Sequence, residues 1–259
     1  MAEPEVLYEA GGSVARATLN RPERRNALTW DMLERLRAVI AEAKDDPGVR
    51  VLVLAGAGEA AFCAGADLEG MASGSSPFEQ HQARGALAGV FEDLWSLGKP
   101  TIAEVRGFCL AGGFGLAMAC DLVLAAENAI FATPEVDAGL WPFMASVPLC
   151  RSMPPKRALE LMLTGRRVGA AEADRIGFVT RVVPAHELAA ATAALAAVLA
   201  SKSPTATRLG RDAFYRVWDA NAAEALAAMH PLLSVLLETD DARKGLAAFA
   251  NRHSGEDPS

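Results

Sequence analysis

Between Thr101 and Ala126 the chain reads TIAEVRGFCLAGGFGLAMACDLVLAA. A short apolar run, Thr101–Val105, leads into a glycine turn. A stretch of small residues able to start a helix near Gly112 follows, and a second apolar run, Leu122–Ala126, closes the segment. Apolar runs this short, without polar alternation, belong to strands covered on both faces. Val51–Ala55 has the same character, and Val14–Leu19 reads as a further strand. Between these, Asp31–Lys44 carries Leu33, Leu36, Val39 and Ile40 on one helical stripe. Strands alternating with helices in this way predict an α/β fold with crossover helices and a mainly parallel sheet.

After Pro155 the pattern turns helical, over Lys156–Leu163, Ala170–Ile176, Glu187–Ser201, Thr205–Val217, Ala222–Glu238 and Asp241–Asn251, with Val179–Val183 as one possible strand. The later helices are rich in Ala and Leu. Their broad apolar faces cover either their own domain or another subunit. The expected organisation is a core over residues 1–190 and a helical region over 191–259 that belongs to the same functional domain. Phe78–Leu97 reads as a helix ended by Gly98 and Pro100, Met71–Pro77 as a mobile surface loop, and the SGEDPS tail as frayed.

A net charge of −7 with 25 scattered Lys and Arg argues against nucleic acid as a partner. No apolar run reaches membrane-spanning length, and Met1–Ala10 carries three acids and no base, so neither a membrane nor a secretory segment is expected. Cys63, Cys109, Cys120 and Cys150 lack metal-ligand spacing and sit in mainly apolar surroundings. They read as buried, reduced thiols in a cytoplasmic protein with no metal.

Small residues gather at three strand ends: FCAGADL (Phe62–Leu68), GFCLAGGFGLAMACD (Gly107–Asp121) and FATPEVDAGLWPF (Phe131–Phe143). A helix starting near Gly112 points unsatisfied N–H groups and the positive end of its dipole at whatever lies before it. A second turn at Gly65–Ala66, brought alongside, adds a converging donor, and the pair would form an oxyanion hole.

Together these segments resemble the enoyl-CoA hydratase/isomerase (crotonase) family. The NRP…NAL loop, FCAGADL, the G-F-x-L-x-G-G helix start ending in ACD, TPEVxxGLWP, LMLTGRR, EADRIGFV and RVVP occur in family order from about Val6 to Arg252. The resemblance implies a spiral of repeated ββα turns with a C-terminal helical region that builds trimers or dimers of trimers. It implies an acyl-CoA substrate whose thioester oxygen sits between the amides of Ala66 and Gly112, with Glu135 as acid/base. Coenzyme A arrives as part of the substrate, and no separate cofactor is implied. Charge that develops on a thioester oxygen during enolate formation is stabilised by each such donor by about 3 kcal/mol.

The chain departs from the family pattern at one position. The hydratases of this family hold a water between two glutamates; the second maps to Glu135, but the first maps to Gly115. A positioned acid or base contributes roughly 10²–10⁴-fold, so the resemblance favours isomerisation of a double bond by one base over hydration. Asp137 would point away if the segment is extended. Phe143 stands where the dienoyl-CoA isomerases carry an acid, which argues against that activity. Trp141 and Phe143 are expected on the acyl tunnel, with Leu110 near the substrate. Arg24, Phe249 and Arg252 are expected at the CoA end, and the backbone at Ala64 and Leu68 against the adenine or pantetheine. An acyl-CoA-binding scaffold without turnover is the alternative.

Other chemistries find less support. GAGEAA at Gly56–Ala61 fits a dinucleotide fingerprint, but Gly65 interrupts the helix that fold requires, and neither Tyr8 nor Tyr215 has a Lys four residues on. His81, His186, His230 and His253 form no nucleophile–base arrangement, and no G-x-S-x-G occurs.

Overall fold

The computed structural model describes residues 3–67, 76, 78, 80, 81 and 85–253, with side chains to residue 250. Two compact units divide it, Met1–Ala200 and Ser201–Ser259. Met71–Pro77, apart from residue 76, and the tail after His253 lie outside the described residues, as do Leu68 and the side chain of Arg252.

Among the described residues of the first unit, ten strands build two sheets. The larger has the order β1 (Val6–Gly11), β2 (Val14–Leu19), β3 (Val51–Gly56), β5 (Thr101–Val105), β7 (Leu122–Ala126) and β10 (Arg181–Val183). It is parallel except for the β1–β2 hairpin. The smaller has the order β4 (Ala61–Cys63), β6 (Phe108–Leu110), β8 (Ile130–Ala132) and β9 (Val168–Gly169). Successive turns of chain therefore place one strand in each sheet and then a helix: β3 and β4 before Ala86–Trp95, β5 and β6 before Gly112–Ala119, β7 and β8 before Phe143–Ser152. This is the expected mixed α/β spiral.

The period of two along the strands explains the layers. Leu52 and Leu54 face the main core with Leu33, Leu36 and Ile40 of the helix Trp30–Asp45 and with Val90 and Leu94 of Ala86–Trp95. Val51 and Val53 face the other way, with Ile102, Leu124 and Ala126, and pack under Leu188 and Ala196 of the helix Leu188–Ala200. The sequence reading divided that helix at residue 190; its packing on the sheet places all of it with the first unit.

The second unit consists of the helices Pro204–Val217, Ala222–Leu237 and Asp240–His253. Ser203 and Asn221 cap the first two by accepting from Ala206 N and Glu224 N. Ser203 Oγ also lies 2.6 Å from Asp241 Oδ2, which ties the start of the third helix to the first. Ala213 is the only buried residue among the described residues of this unit, and Phe214, Leu226, Leu233, Val235, Leu246 and Phe249 are exposed.

Two sequence expectations need correction. Cys63, Cys109 and Cys120 are buried, but Cys150 is exposed, because it falls on the outward side of the helix Phe143–Ser152, whose inner side is Ala145, Pro148 and Leu149. The segment after Thr133 is not extended. Pro134 starts a 3-10 turn that runs to Ala138 and is closed by Gly139 at φ 71°.

Candidate active site

Strands β4, β6 and β8 of the smaller sheet lead into the wall of a cavity of about 620 Å³ in the first unit. Its wall is mainly apolar, with Leu28, Trp30, Leu33, Leu87, Trp141 and Phe143 among the lining residues. Ala64, Ala66, Ala111, Gly112 and Glu135 add small residues and one carboxylate to the lining, and no other carboxylate lines the cavity among the described residues.

Ala66 is held by a short parallel bridge to Leu28. The Leu28 N–H donates to the Gly65 carbonyl at 2.7 Å, and the Asp67 N–H donates to the Leu28 carbonyl at 2.8 Å. In a parallel pairing the residue between those two partners turns its own N–H to the opposite side, so the Ala66 amide is directed away from Leu28. Gly112 is the first residue of its helix, where an N–H has no intrahelical acceptor. Neither amide donates to a protein acceptor among the described residues.

The two turns are close because Gly65 allows it. A Cβ on Gly65, whose φ is 98°, would stand 2.7 Å from Ala111 Cβ and 3.6 Å from Gly112 N. Ala111 has φ 53° and ψ −126°, a conformation that costs an L-residue about 1–3 kcal/mol. It is locked by its N–H, which donates to the Ala132 carbonyl at 2.9 Å, and by its carbonyl, which accepts from Gly115 N at 3.1 Å. Behind the helix, Phe114, Phe131 and Phe178 pack with ring centroids 5.2–5.3 Å apart and fix its depth.

Glu135 projects from the 3-10 turn into the cavity wall. Its Oε2 is buried with no protein hydrogen-bond partner. Burial raises its pKa above the ordinary 4.5, opposed in part by a bond from its own backbone N–H. Asp137 turns to the far side of the same element, where its Oδ2 lies 3.2 Å from the Cβ position of Gly165. The extended geometry was the wrong reason, but Asp137 is not on the cavity wall.

Gly115 is fully enclosed and does not border the cavity. A Cβ there would meet Ala145 Cβ at 2.8 Å, Ala145 Cα at 2.9 Å and Phe91 Cζ at 3.0 Å. No room for a carboxylate side chain exists at this position in the present packing.

The remaining expected residues are spread. Ala64, Trp141 and Phe143 line the cavity; Leu110 stands in β6 and is not on its wall. Arg24 lies in the turn Pro22–Arg24 with its guanidinium 3.7 Å from Asp67 Oδ1. Phe249 is exposed on the last helix of the second unit. Trp30, Leu33, Leu87, Leu140 and Gln80 were not picked out as cavity residues. Leu33 reads locally as an ordinary core position, and no local signal marks the others.

The model of the enoyl-CoA hydratase/isomerase family matches residues 9–256. A probable enoyl-CoA hydratase of Rhizobium meliloti (strain 1021) is 37% identical over 257 residues, covering 99% of this chain and 98% of its own. A short-chain-enoyl-CoA hydratase of Clostridium acetobutylicum is 36% identical, covering 97% and 96%. The crystal structure of an enoyl-CoA hydratase from Mycobacterium smegmatis superposes with a TM-score of 0.93 at 32% identity, over 96% of this chain and 97% of that one. A family match across nearly the whole chain and relatives of this identity lead to one statement: the chain belongs to the enoyl-CoA hydratase/isomerase family.

Proposed function

We propose that this protein shifts the double bond of a 3-enoyl-CoA to the 2 position, using Glu135 as its single acid/base. The enclosed contact of Gly115 with Ala145 carries this reading, because it leaves Glu135 as the cavity's one carboxylate among the described residues. The thioester oxygen accepts from the amides of Ala66 and Gly112. The Glu135 carboxylate removes a proton from C2, and the electron pair moves onto the thioester oxygen as an enolate. The protonated carboxyl then returns the proton at C4 while the C2–C3 double bond forms and the oxygen reverts to a carbonyl. Burial of Glu135 favours the neutral acid between the two transfers. Water is neither added nor lost, so no second carboxylate is needed.

The acyl chain would lie along Trp141, Phe143 and Leu87. Arg24 and the backbone around Ala64 and Leu68 would meet the CoA moiety, with Phe249 and Arg252 supplied to a neighbouring copy's adenine end. Coenzyme A enters only as part of the substrate. The exposed apolar side chains of the C-terminal helices support a homotrimer or dimer of trimers, working in the cytoplasm.

Hydration is the second reading, favoured by the names of the relatives, which are hydratases. Parallel assays on a 2-enoyl-CoA and a 3-enoyl-CoA, with Glu135→Gln as control, separate the two. Turnover of the 3-enoyl substrate alone, abolished in the variant, supports isomerisation. Hydration of the 2-enoyl substrate at the faster rate would replace it. Tight binding of both without turnover would point to an acyl-CoA-binding scaffold.

A further inference from the structure

Asn26 is fully buried, outside the cavity wall, and in the left-handed region at φ 56°. Its side chain makes three hydrogen bonds, all to backbone, and both Nδ2 protons are used. Nδ2 donates to the carbonyls of Ala57 at 3.0 Å and Ala61 at 2.8 Å, and Oδ1 accepts from Arg21 N at 3.0 Å. Ala57 and Ala61 bracket the bend where the chain leaves β3 for β4. The close approach needs Gly56, whose Cβ would lie 2.7 Å from Asn26 Nδ2.

The residues on either side of Asn26 form the template for the Ala66 turn. The Arg25 carbonyl accepts from Ala64 N at 3.0 Å, and Leu28 bonds Gly65 and Asp67 on both sides of Ala66. Arg21, which pairs with Asn26 through its own backbone, donates from Nη2 to Asp67 Oδ2 at 3.0 Å. The struts from Arg25, Leu28 and Arg21 that aim the Ala66 amide therefore start within two residues of Asn26 or on its hydrogen-bond partner. We infer that Asn26 is a positioning residue for catalysis: its carboxamide clamps the Arg21–Leu28 loop to the β3–β4 bend and so sets the direction of the Ala66 N–H. The inference rests on the proposed role of Ala66 as an oxyanion donor.

The test reads carbonyl polarisation directly. Butanoyl-CoA labelled with ¹³C at the thioester carbonyl is bound to the full-length protein, and isotope-edited infrared spectra give the shift of the C=O band. Wild type should show a band moved to lower frequency. Asn26→Asp, which keeps the acceptor and loses the donor, and Asn26→Gly, which suits the positive φ and loses both, should lose most of that shift. Their kcat should fall about 10- to 100-fold with KM little changed, less than the 10²–10³-fold expected when an oxyanion donor is removed outright.

No band shift in the wild type would overturn the oxyanion reading itself. A wild-type shift retained in folded variants would overturn the role of Asn26 alone. Two variants that do not fold would assign Asn26 to the fold rather than the site, and would overturn the inference equally.

Discussion

Gly115 packs closely on Ala145 where the helices Gly112–Ala119 and Phe143–Ser152 meet, with Ala145 Cα only 2.9 Å from where a Gly115 Cβ would stand. The contact holds the helix that begins at Gly112 against the segment that follows Glu135. Gly115→Ala should overpack this crossing and cost about 1–3 kcal/mol in urea unfolding. Gly115→Glu should be less stable still and should not gain hydratase activity. A stable Gly115→Glu protein that hydrates a 2-enoyl-CoA faster than wild type would show that the carboxylate finds a route into the cavity.

Glu135 ionises against its surroundings. Its folded-state pKa is raised by burial, so the associated stability is present below the unfolded value near 4.5 and is lost as pH rises through the folded value. Glu135→Gln should therefore melt higher than wild type at pH 7, by about 1–3 °C given partial solvent screening. The difference should vanish near pH 4, while the variant remains inactive at both. In the wild type, kcat/KM should fall as pH drops through a value above 4.5, because the base form is lost there.

Thiol labelling should separate one cysteine from three. Burial pushes Cys63 up to about 12 and Cys109 well above its ordinary value, and thiolate is the reactive form. Under native conditions iodoacetamide should modify Cys150 alone, with Cys63, Cys109 and Cys120 reacting only after denaturation. Peptide mapping by mass spectrometry reads the outcome; fast labelling of Cys63 would mean that the base of the Ala66 turn opens in solution.

Arg16 and Glu104 form a two-point ion pair, at 3.1 and 2.8 Å, on the sheet face shared with Val53 and Ile102. Glu104 is buried and Arg16 is about one-third exposed by its side chain, at 32%. Arg16→Ala would leave a buried carboxylate alone, at a cost of about 2 kcal/mol, below the 3–5 of a fully buried pair because the guanidinium is partly hydrated. Replacing both with apolar residues, Arg16→Met with Glu104→Leu, should recover most of that loss in denaturant titrations. Equal destabilisation by the single and double changes would place the effect in packing rather than charge.

Much of this molecule was legible in short stretches of chain. The apolar runs at Val51, Thr101 and Leu122 are buried strands, and the helix Ala170–Ile176 has the expected bounds. The helix starts at Gly112 as read, with Ala66 and Gly112 on one cavity wall. These features depend on the period of side chains along one element and on where glycine permits a turn, which are local properties. The helix Phe143–Ser152, which follows Pro142 and contains Pro148, was not anticipated; it packs on Gly112–Ala119. The exposure of Cys150 and the enclosure of Gly115 follow from that one docking event. Trp30, Leu87 and Gln80 reach the cavity from helical positions far from Glu135 in sequence. Local periodicity determines which face of an element is apolar; which other face covers it is settled only by the global packing of the chain, and that packing decided that Glu135 is the one carboxylate lining the cavity among the described residues.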